Sequence, residues 1–382
     1  MIVGIDASNI RAGGGITHLV QTLAAAEPAR AGVHLVRVWA GRDTLACLPE
    51  RTWLEPVHVP VLDRHAAARA FWQYAVLPRV ARRACDVLFA PGGRIGFATV
   101  PTVVVSQNML PFEPNESARY GRLGTAALRF RALRVSQGDS FQRADGVIFL
   151  TRYARDAITS QLRRPPRLSA IIPHGIEERF RREPPAQAPL SSFTRERPFR
   201  WLYVSVLGPY KHHDAIAAAV ARLRRRGLPV ELDLIGPPGD EPSNRRLREA
   251  LAREDPDGTF IRWRGAMPHR KLHEAYFAAD GFVFASSCEN MPNILIEAMA
   301  SGLPIACSNR GPMPEVLQEA GGYFDPERID SVTSALYGLL SDETKRARIA
   351  LRAHALAAEF TWKRTASETF AFLAASAQSR RR

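Results

Sequence analysis

Short runs of β-branched and aromatic residues recur along the chain, and several of the gaps between them are long enough for a helix. Residues 2–6, 34–39, 87–90, 102–106, 146–150 and 168–172 form one series. A strand that is apolar along its whole length is covered on both faces, which predicts a parallel sheet with helices on either side. A second series opens at Leu202. Strands over 202–206, 230–235, 260–263, 282–285 and 304–307 alternate with helices over 214–225, 244–253, 271–279, 293–300 and 313–319. Between the two series, HGIEERFRREPPAQAPLSSFTRERPFR (174–200) is rich in Pro and charge and has no hydrophobic period, so it reads as an interdomain linker. An amphipathic helix over 362–375 follows the second series. The pattern predicts an α/β chain of two doubly wound, Rossmann-like domains, 1–173 and 201–361, with 362–382 as a terminal helix plus basic tail. Two such domains facing across a cleft would bind ligands at the carboxyl ends of their strands.

Composition narrows the class. A chain of 382 residues that is 46% hydrophobic is long enough for two cores. Cys47, Cys85, Cys288 and Cys307 form no CxxC pair and have no His at zinc spacing, so neither a disulfide framework nor a metal site is indicated. The opening MIVGIDASNI lacks a basic segment and a cleavage site, and no run of about 18 apolar residues occurs. These features predict a cytoplasmic protein. The net charge of +14 comes from arginine, with Lys211, Lys271, Lys345 and Lys363 the only lysines, and compositional bias accounts for much of it. Two stretches are denser: Arg119, Arg122, Arg129, Arg131 and Arg134 with Leu123, Leu128 and Leu133, and Arg64 to Arg83 around Phe71-Trp72. Basic charge interleaved with apolar residues on a helix suits an anionic membrane surface, which predicts a peripheral location, and no nucleic-acid motif accompanies it. The Arg380-Arg381-Arg382 tail reads as disordered.

The segment FVFASSCENMPNILIEAMASGLPIACSN (282–309) carries the strongest chemical signal. A buried strand leads through a loop into an apolar helix that holds one acid, Glu297. A buried carboxylate needs a partner, because desolvating it costs several kcal/mol. An arginine salt bridge or a solvent-facing turn would serve, and so would the vicinal hydroxyls of a ribose. Glu289 stands eight positions earlier, in a loop whose amides and helix start suit a phosphate or a sugar. After the linker, YVSVLGPYKHH places Lys211 just before a helix, where its ammonium can reach a diphosphate.

These residues resemble the family-4 retaining glycosyltransferases of GT-B fold, glycosyl transferases group 1. Their signature is two glutamates with seven residues between, followed by EAMA-x-G-x-P; here Glu289, Glu297 and the run Glu297 to Pro304. The resemblance implies a metal-independent, retaining hexosyl transfer from a nucleotide sugar such as GDP-mannose or a UDP-hexose to a glycan or lipid-linked acceptor, in polysaccharide biosynthesis. No cofactor is implied beyond that donor. Glu289 would meet hydroxyls of the donor sugar and Glu297 the ribose, while Asn290, Met291, Pro292 and Asn293 would lend backbone groups, Pro292 having no N–H. Lys211 would hold the diphosphate. Relatives often carry an Arg five residues before this lysine; here Val206 stands there, which removes a two-cation clamp. Gly236 ends a strand in a turn, and Gly265 with Met267 ends the next where the base would be read.

In the N-terminal half, Gly13-Gly14-Gly15 follows the first strand and allows close backbone approach to a ligand. The GxGxxG dinucleotide fingerprint is absent. The resemblance assigns Gly14 and Gly15 to the donor phosphate and acceptor side. Gln107 and Asn108 replace a sugar-contacting His found in many relatives, and both could equally be turn residues. Thr151 reads as a helix N-cap. A nucleotide-sugar epimerase and a non-catalytic sugar-nucleotide-binding protein remain as alternatives on the same architecture.

Overall fold

The computed structural model describes residues 1–11, 13–121 and 123–379. Arg122 of the expected basic helix and the Arg380–Arg382 tail lie outside the described residues. The described chain divides into two compact units. One takes residues 1–11, 13–114, 123–175 and 361–379, the other 115–121 and 176–360.

The first unit is built on a seven-stranded sheet of β1 (Ile2–Asp6), β2 (Leu35–Ala40), β3 (Leu54–His58), β4 (Val87–Ala90), β5 (Thr102–Val105), β6 (Gly146–Phe149) and β7 (Ser169–Ile171). Every pairing is parallel and the order is β3-β2-β1-β4-β5-β6-β7. All four residues of β4, of β5 and of β6 are buried, as a strand covered on both faces requires. Helix α1 (Gly14–Ala24) follows β1, α2 (Thr125–Arg143) precedes β6, and α3 (Arg152–Thr159) follows it. The Thr151 hydroxyl accepts the Ala154 amide at 3.1 Å and caps α3. The terminal helix Trp362–Ser379 closes this unit, with Phe370 and Leu373 buried.

The second unit repeats the plan. Its six strands, β8 (Phe199–Val204), β9 (Val230–Ile235), β10 (Ile261–Trp263), β11 (Gly281–Phe284), β12 (Ile305–Ser308) and β13 (Gly322–Phe324), are ordered β10-β9-β8-β11-β12-β13 and are all parallel. Helices α4 (His213–Arg225), α5 (Glu241–Glu254), α6 (Leu272–Ala278) and α7 (Asn293–Ala300) belong to its crossovers. In α4 the small residues Ala217, Ala218, Ala219 and Ala221 are buried, while Arg222, Arg224 and Arg225 crowd the last turn, where cations complement the helix dipole. In each sheet the strand order reverses once, between β1 and β4 and between β8 and β11. Loops leaving the carboxyl ends of those strand pairs diverge and open a crevice.

Strands β3 and β13 lie outside the predicted runs, and two further expectations change. Residues 176–200 are not a free linker but part of the second unit. Phe180 is fully buried, the Arg182 amide donates to Ala300 O at 3.0 Å, and Ser301 Oγ donates to Phe180 O at 3.0 Å. The wholly buried Arg346 guanidinium bonds Leu339 O at 2.7 Å, Leu340 O at 2.6 Å, Gln187 Oε1 at 3.2 Å and also Ala188 O. Segments without hydrophobic period can still be fixed when their carbonyls are donated to in this way. The basic stretch from Arg119 is likewise not one helix. Gly121 and Gly124, at φ 106° and 108°, break it, so Arg119 sits on a separate turn and Arg129, Arg131 and Arg134 lie on α2.

Arg346→Ala strands several buried carbonyls, each costing about 1–3 kcal/mol. We expect thermal unfolding monitored by circular dichroism to show a melting temperature several degrees lower; an unchanged value would mean that this guanidinium does not hold the 187–188 segment.

Candidate functional site

The reversal in the second sheet brings two predicted residues together. Lys211 follows β8 and Glu289 follows β11, and the Lys211 ammonium donates to Glu289 Oε1. Their side chains are only 7% and 18% exposed, so the pair is largely stripped of water. Burial works against the charged lysine, but Glu289 and the Tyr203 phenol more than offset it, and its pKa lies above the ordinary lysine value. The ammonium also lies 4.8 Å from the centroid of the Tyr210 ring. Tyr203 OH donates to Lys211 O at 2.8 Å and the Ser287 amide donates to Tyr210 O at 2.9 Å, tying the two loops together through the backbone. Val206 is 44% exposed and brings no second cation.

A segment with no recognisable motif completes this rim. Residues 115–121 fold with the second unit, where Ser287 Oγ donates to Glu116 Oε2 at 2.7 Å and Arg119 pairs with Glu116 at 2.8 Å and with Glu327. His212 Nε2 lies 3.0 Å from the same Ser287 oxygen, and since the hydroxyl proton goes to Glu116, the imidazole is the donor. His212 holds φ 50°, a left-handed conformation costing on the order of 1 kcal/mol for a side chain of this size. The Tyr120 and Tyr210 rings are 6.4 Å apart, and burial together with that neighbour pushes the Tyr120 phenol pKa up.

Glu297 is buried in α7, as the helix pattern requires, but protein groups already meet its carboxylate. Tyr276 OH on α6 donates to Oε2 at 2.9 Å, and His269 Nε2 lies 3.2 Å from Oε1. A ligand is therefore not needed to satisfy the acid, and the protein partners are a phenol and an imidazole rather than the arginine that the helix pattern left open. The partners come from 21 and 28 residues away in sequence, which no local pattern reveals. The hydrogen bond to Glu297 raises the His269 pKa above the ordinary histidine value, while burial and Arg179 oppose it.

The predicted turns after β9 and β10 also take shape. Gly236 N donates to Gly265 O at 2.8 Å, joining the turns that end β9 and β10. A Cβ on Gly236 would stand 1.8 Å from Ser205 O, so no other residue fits, whereas Gly265 needs only its φ of 68°. Met267 lines a cavity of about 250 Å³ beside α6, together with Ile235 and Ala275. Asn290 and Met291 are buried. Pro292 O accepts the Leu295 and Ile296 amides, and the Asn293 amide donates to Met291 O at 3.0 Å, so Asn293 has no backbone N–H to lend. Its buried side-chain Oδ1 has no partner among the described residues.

In the first unit a separate polar cluster lies past β1 and β5. A Cβ on Gly15 would come within 3.4 Å of Gln107 Oε1, and Gln107 Nε2 is 3.2 Å from His18 Nδ1. Gly14 opens α1, with Gly13 before it at φ 66°. Asn108 Oδ1 accepts the Leu110 amide at 3.2 Å, the local turn that such a residue favours. His18, which carried no sequence signal, packs against His174 and Trp362 at centroid distances of 4.7 and 6.1 Å. Nearby, the buried Asp6 accepts from Gln73 Nε2 at 2.7 Å and from the Ser8 amide at 3.0 Å.

Residues 190–355 match the family model described as glycosyl transferases group 1. The chain is 34% identical over 110 residues to an O-antigen chain mannosyltransferase B of Escherichia coli, covering 29% of each. It is 28% identical over 244 residues to a GDP-mannose-dependent alpha-(1-6)-phosphatidylinositol monomannoside mannosyltransferase of Mycobacterium tuberculosis, covering 60% of this chain and 61% of that one. The matches thus span between 29% and 61% of the length of these relatives. Among solved structures, Anabaena HepE in complex with UDP-glucose aligns over 100% of both chains with a TM-score of 0.70 at 18% identity. The fold is GT-B, with two Rossmann-like units in one chain. Among the described residues, no helix is long and apolar enough to cross a membrane.

Burial lowers the His18 pKa to about 4 and takes that of His174 well below the histidine value. The unfolded chain binds these protons from about pH 6.5, the folded one only near the lowered values. Stability is therefore full above pH 6.5 and is lost as pH falls toward 4, by up to about 3 kcal/mol for His18. Melting temperatures across pH 7 to 4 should fall less steeply in His18→Gln than in the wild type; parallel curves would contradict a neutral buried imidazole.

Proposed function

We propose that the protein is a retaining glycosyltransferase that moves a hexose from a nucleoside diphosphate sugar to a glycan or lipid-linked acceptor, in the building of cell-surface polysaccharide. The observation that carries this reading is the buried Lys211–Glu289 pair at the strand reversal of a group 1 glycosyltransferase domain. The name of the Mycobacterium tuberculosis relative supports GDP-mannose as donor, and the UDP-glucose complex of a structural neighbour supports a UDP-hexose.

In this reading the bond between the anomeric carbon and the diphosphate breaks, and an acceptor oxygen bonds to that carbon on the same face. The acceptor's proton passes to the departing phosphate. Negative charge grows on the leaving group, and preorganised donors stabilise it best where water is excluded. Lys211 supplies the cation and no metal or cofactor is invoked. Glu289, the ion-pair partner of Lys211, accepts from hydroxyls of the transferred sugar once the ammonium turns to the diphosphate. The Gly236 and Gly265 turns and Met267 stand by the base, Glu297 takes the ribose, and Asn290 to Asn293 border the sugar. In the first unit, the Gly14 and Gly15 amides and the Gln107 amide serve donor phosphate and sugar hydroxyls, while Asn108 shapes the turn.

We further assign a peripheral location at an anionic membrane, which the surface of the first unit supports. Leu123, Leu128 and Val135 are 88%, 68% and 69% exposed, and Arg129, Arg131 and Arg134 beside them are exposed as well. Arg119 takes no part, since Glu116 and Glu327 hold it.

Incubation with UDP- and GDP-hexoses and lipid-linked acceptors should release nucleoside diphosphate together with glycosylated product. Glu289→Ala and Lys211→Ala should each lower turnover by about a hundredfold or more with the fold intact. Isomerised donor would instead indicate an epimerase, and near-normal turnover in either variant would overturn the assignment. For the membrane, the protein should sediment with vesicles containing anionic lipid in preference to neutral ones, and Leu128→Glu with Val135→Glu should abolish this; equal sedimentation with both would remove the surface assignment.

A further inference from the structure

The donor reading leaves open how Glu297 keeps its carboxylate aimed while it is held by the protein on both oxygens. We propose that His269 is a positioning residue of the ribose site, fixing Glu297 Oε1 through Nε2–H so that the carboxylate presents its remaining acceptor positions to the two ribose hydroxyls. This rests on the assignment of Glu297 to the ribose.

The geometry supports a dedicated arrangement. Each oxygen of Glu297 receives one hydrogen bond, from Tyr276 OH at 2.9 Å and from His269 Nε2 at 3.2 Å. A carboxylate oxygen has two lone-pair positions, so each retains one for a hydroxyl donor. Tyr276 is wholly buried and forms the inner anchor. The His269 side chain is 45% exposed against 7% for Glu297, so the imidazole stands on the solvent side of the acid, where a ligand arrives. His269 is also two residues past Met267, in the stretch that follows the base turn. One side chain thus links the two places where a nucleoside would be read.

The imidazole is itself held. Arg179 donates to its Nδ1 at 2.8 Å, which leaves the proton on Nε2, the nitrogen that faces Glu297. Glu177 Oε1 lies 3.6 Å from the same Nδ1 and pairs with Arg179 at 2.6 Å, and the Phe180 ring packs at 5.4 Å. These contacts come from residues 177–180, the segment whose composition reads as a linker. A histidine that merely neutralised the acid would not need its far nitrogen fixed by a guanidinium.

The test is calorimetric titration of the full chain with UDP, GDP and ADP and with their 2′-deoxy counterparts. The wild type should prefer the ribo form of the nucleotide it binds. His269→Ala should weaken that form by about tenfold, the worth of one well-placed hydrogen bond, while changing the deoxy form less than about twofold. His269→Gln, whose amide can donate from a similar reach, should restore most of the difference, and Glu297→Gln should abolish it. An equal loss for ribo and deoxy forms in His269→Ala, or no loss, overturns the proposal alone. A wild type without ribo preference, or one binding none of the three nucleotides, overturns it together with the ribose assignment of Glu297.

Discussion

Charge taken out of water governs the second unit. An ammonium or a carboxylate at the carboxyl edge of a parallel sheet is tolerated only when another group replaces its hydration, since an unpaired buried ion costs several kcal/mol. Lys211 and Glu289 meet that demand for each other, and meeting it fixes the loops after β8 and β11 at the reversal of the sheet. In the proposed function this pairing exchanges: a diphosphate takes the ammonium from Glu289 while a sugar hydroxyl meets the carboxylate, so that donor charge and donor sugar are recognised as one event.

Glu297 poses the problem in a different form. Its helix is apolar and mostly buried, so the carboxylate, only 7% exposed, draws on Tyr276 and His269. His269 in turn depends on Arg179 and Glu177. Each polar group is held by one further out, which converts the position of a single buried oxygen into a property of four separate segments. Preorganisation of this kind lowers the cost of ordering a site when ligand arrives.

The first unit follows the same winding but fills its crevice differently. Neutral amides and buried imidazoles take the place of an ion pair: Gln107 against His18 and Gly15, and Gln73 against Asp6. His174 and Trp362 close over His18, so the terminal helix is anchored at the end of the chain's first passage through this unit. The contrast between the two units is chemical rather than architectural.

Local pattern was enough for most of the strands, because a doubly covered strand is buried along its whole length, as β4, β5, β6 and β12 are, but it missed β3 and β13. It was enough also for Thr151 as a cap, for Gly236 as a turn, and for the burial of Glu297, each of which follows from a residue and its immediate neighbours. Three things were decided by tertiary structure. Residues 176–200 lack hydrophobic period yet are fixed by Arg346 and by the carbonyl of Ala300. The 115–121 segment leaves its sequence neighbours and joins the second unit through Glu116 and Arg119. His269 becomes a partner of Glu297 across 28 positions. Periodicity records which face of an element is dry, whereas a hydrogen bond between distant side chains depends on where whole elements come to lie, and that is set only when the chain has packed.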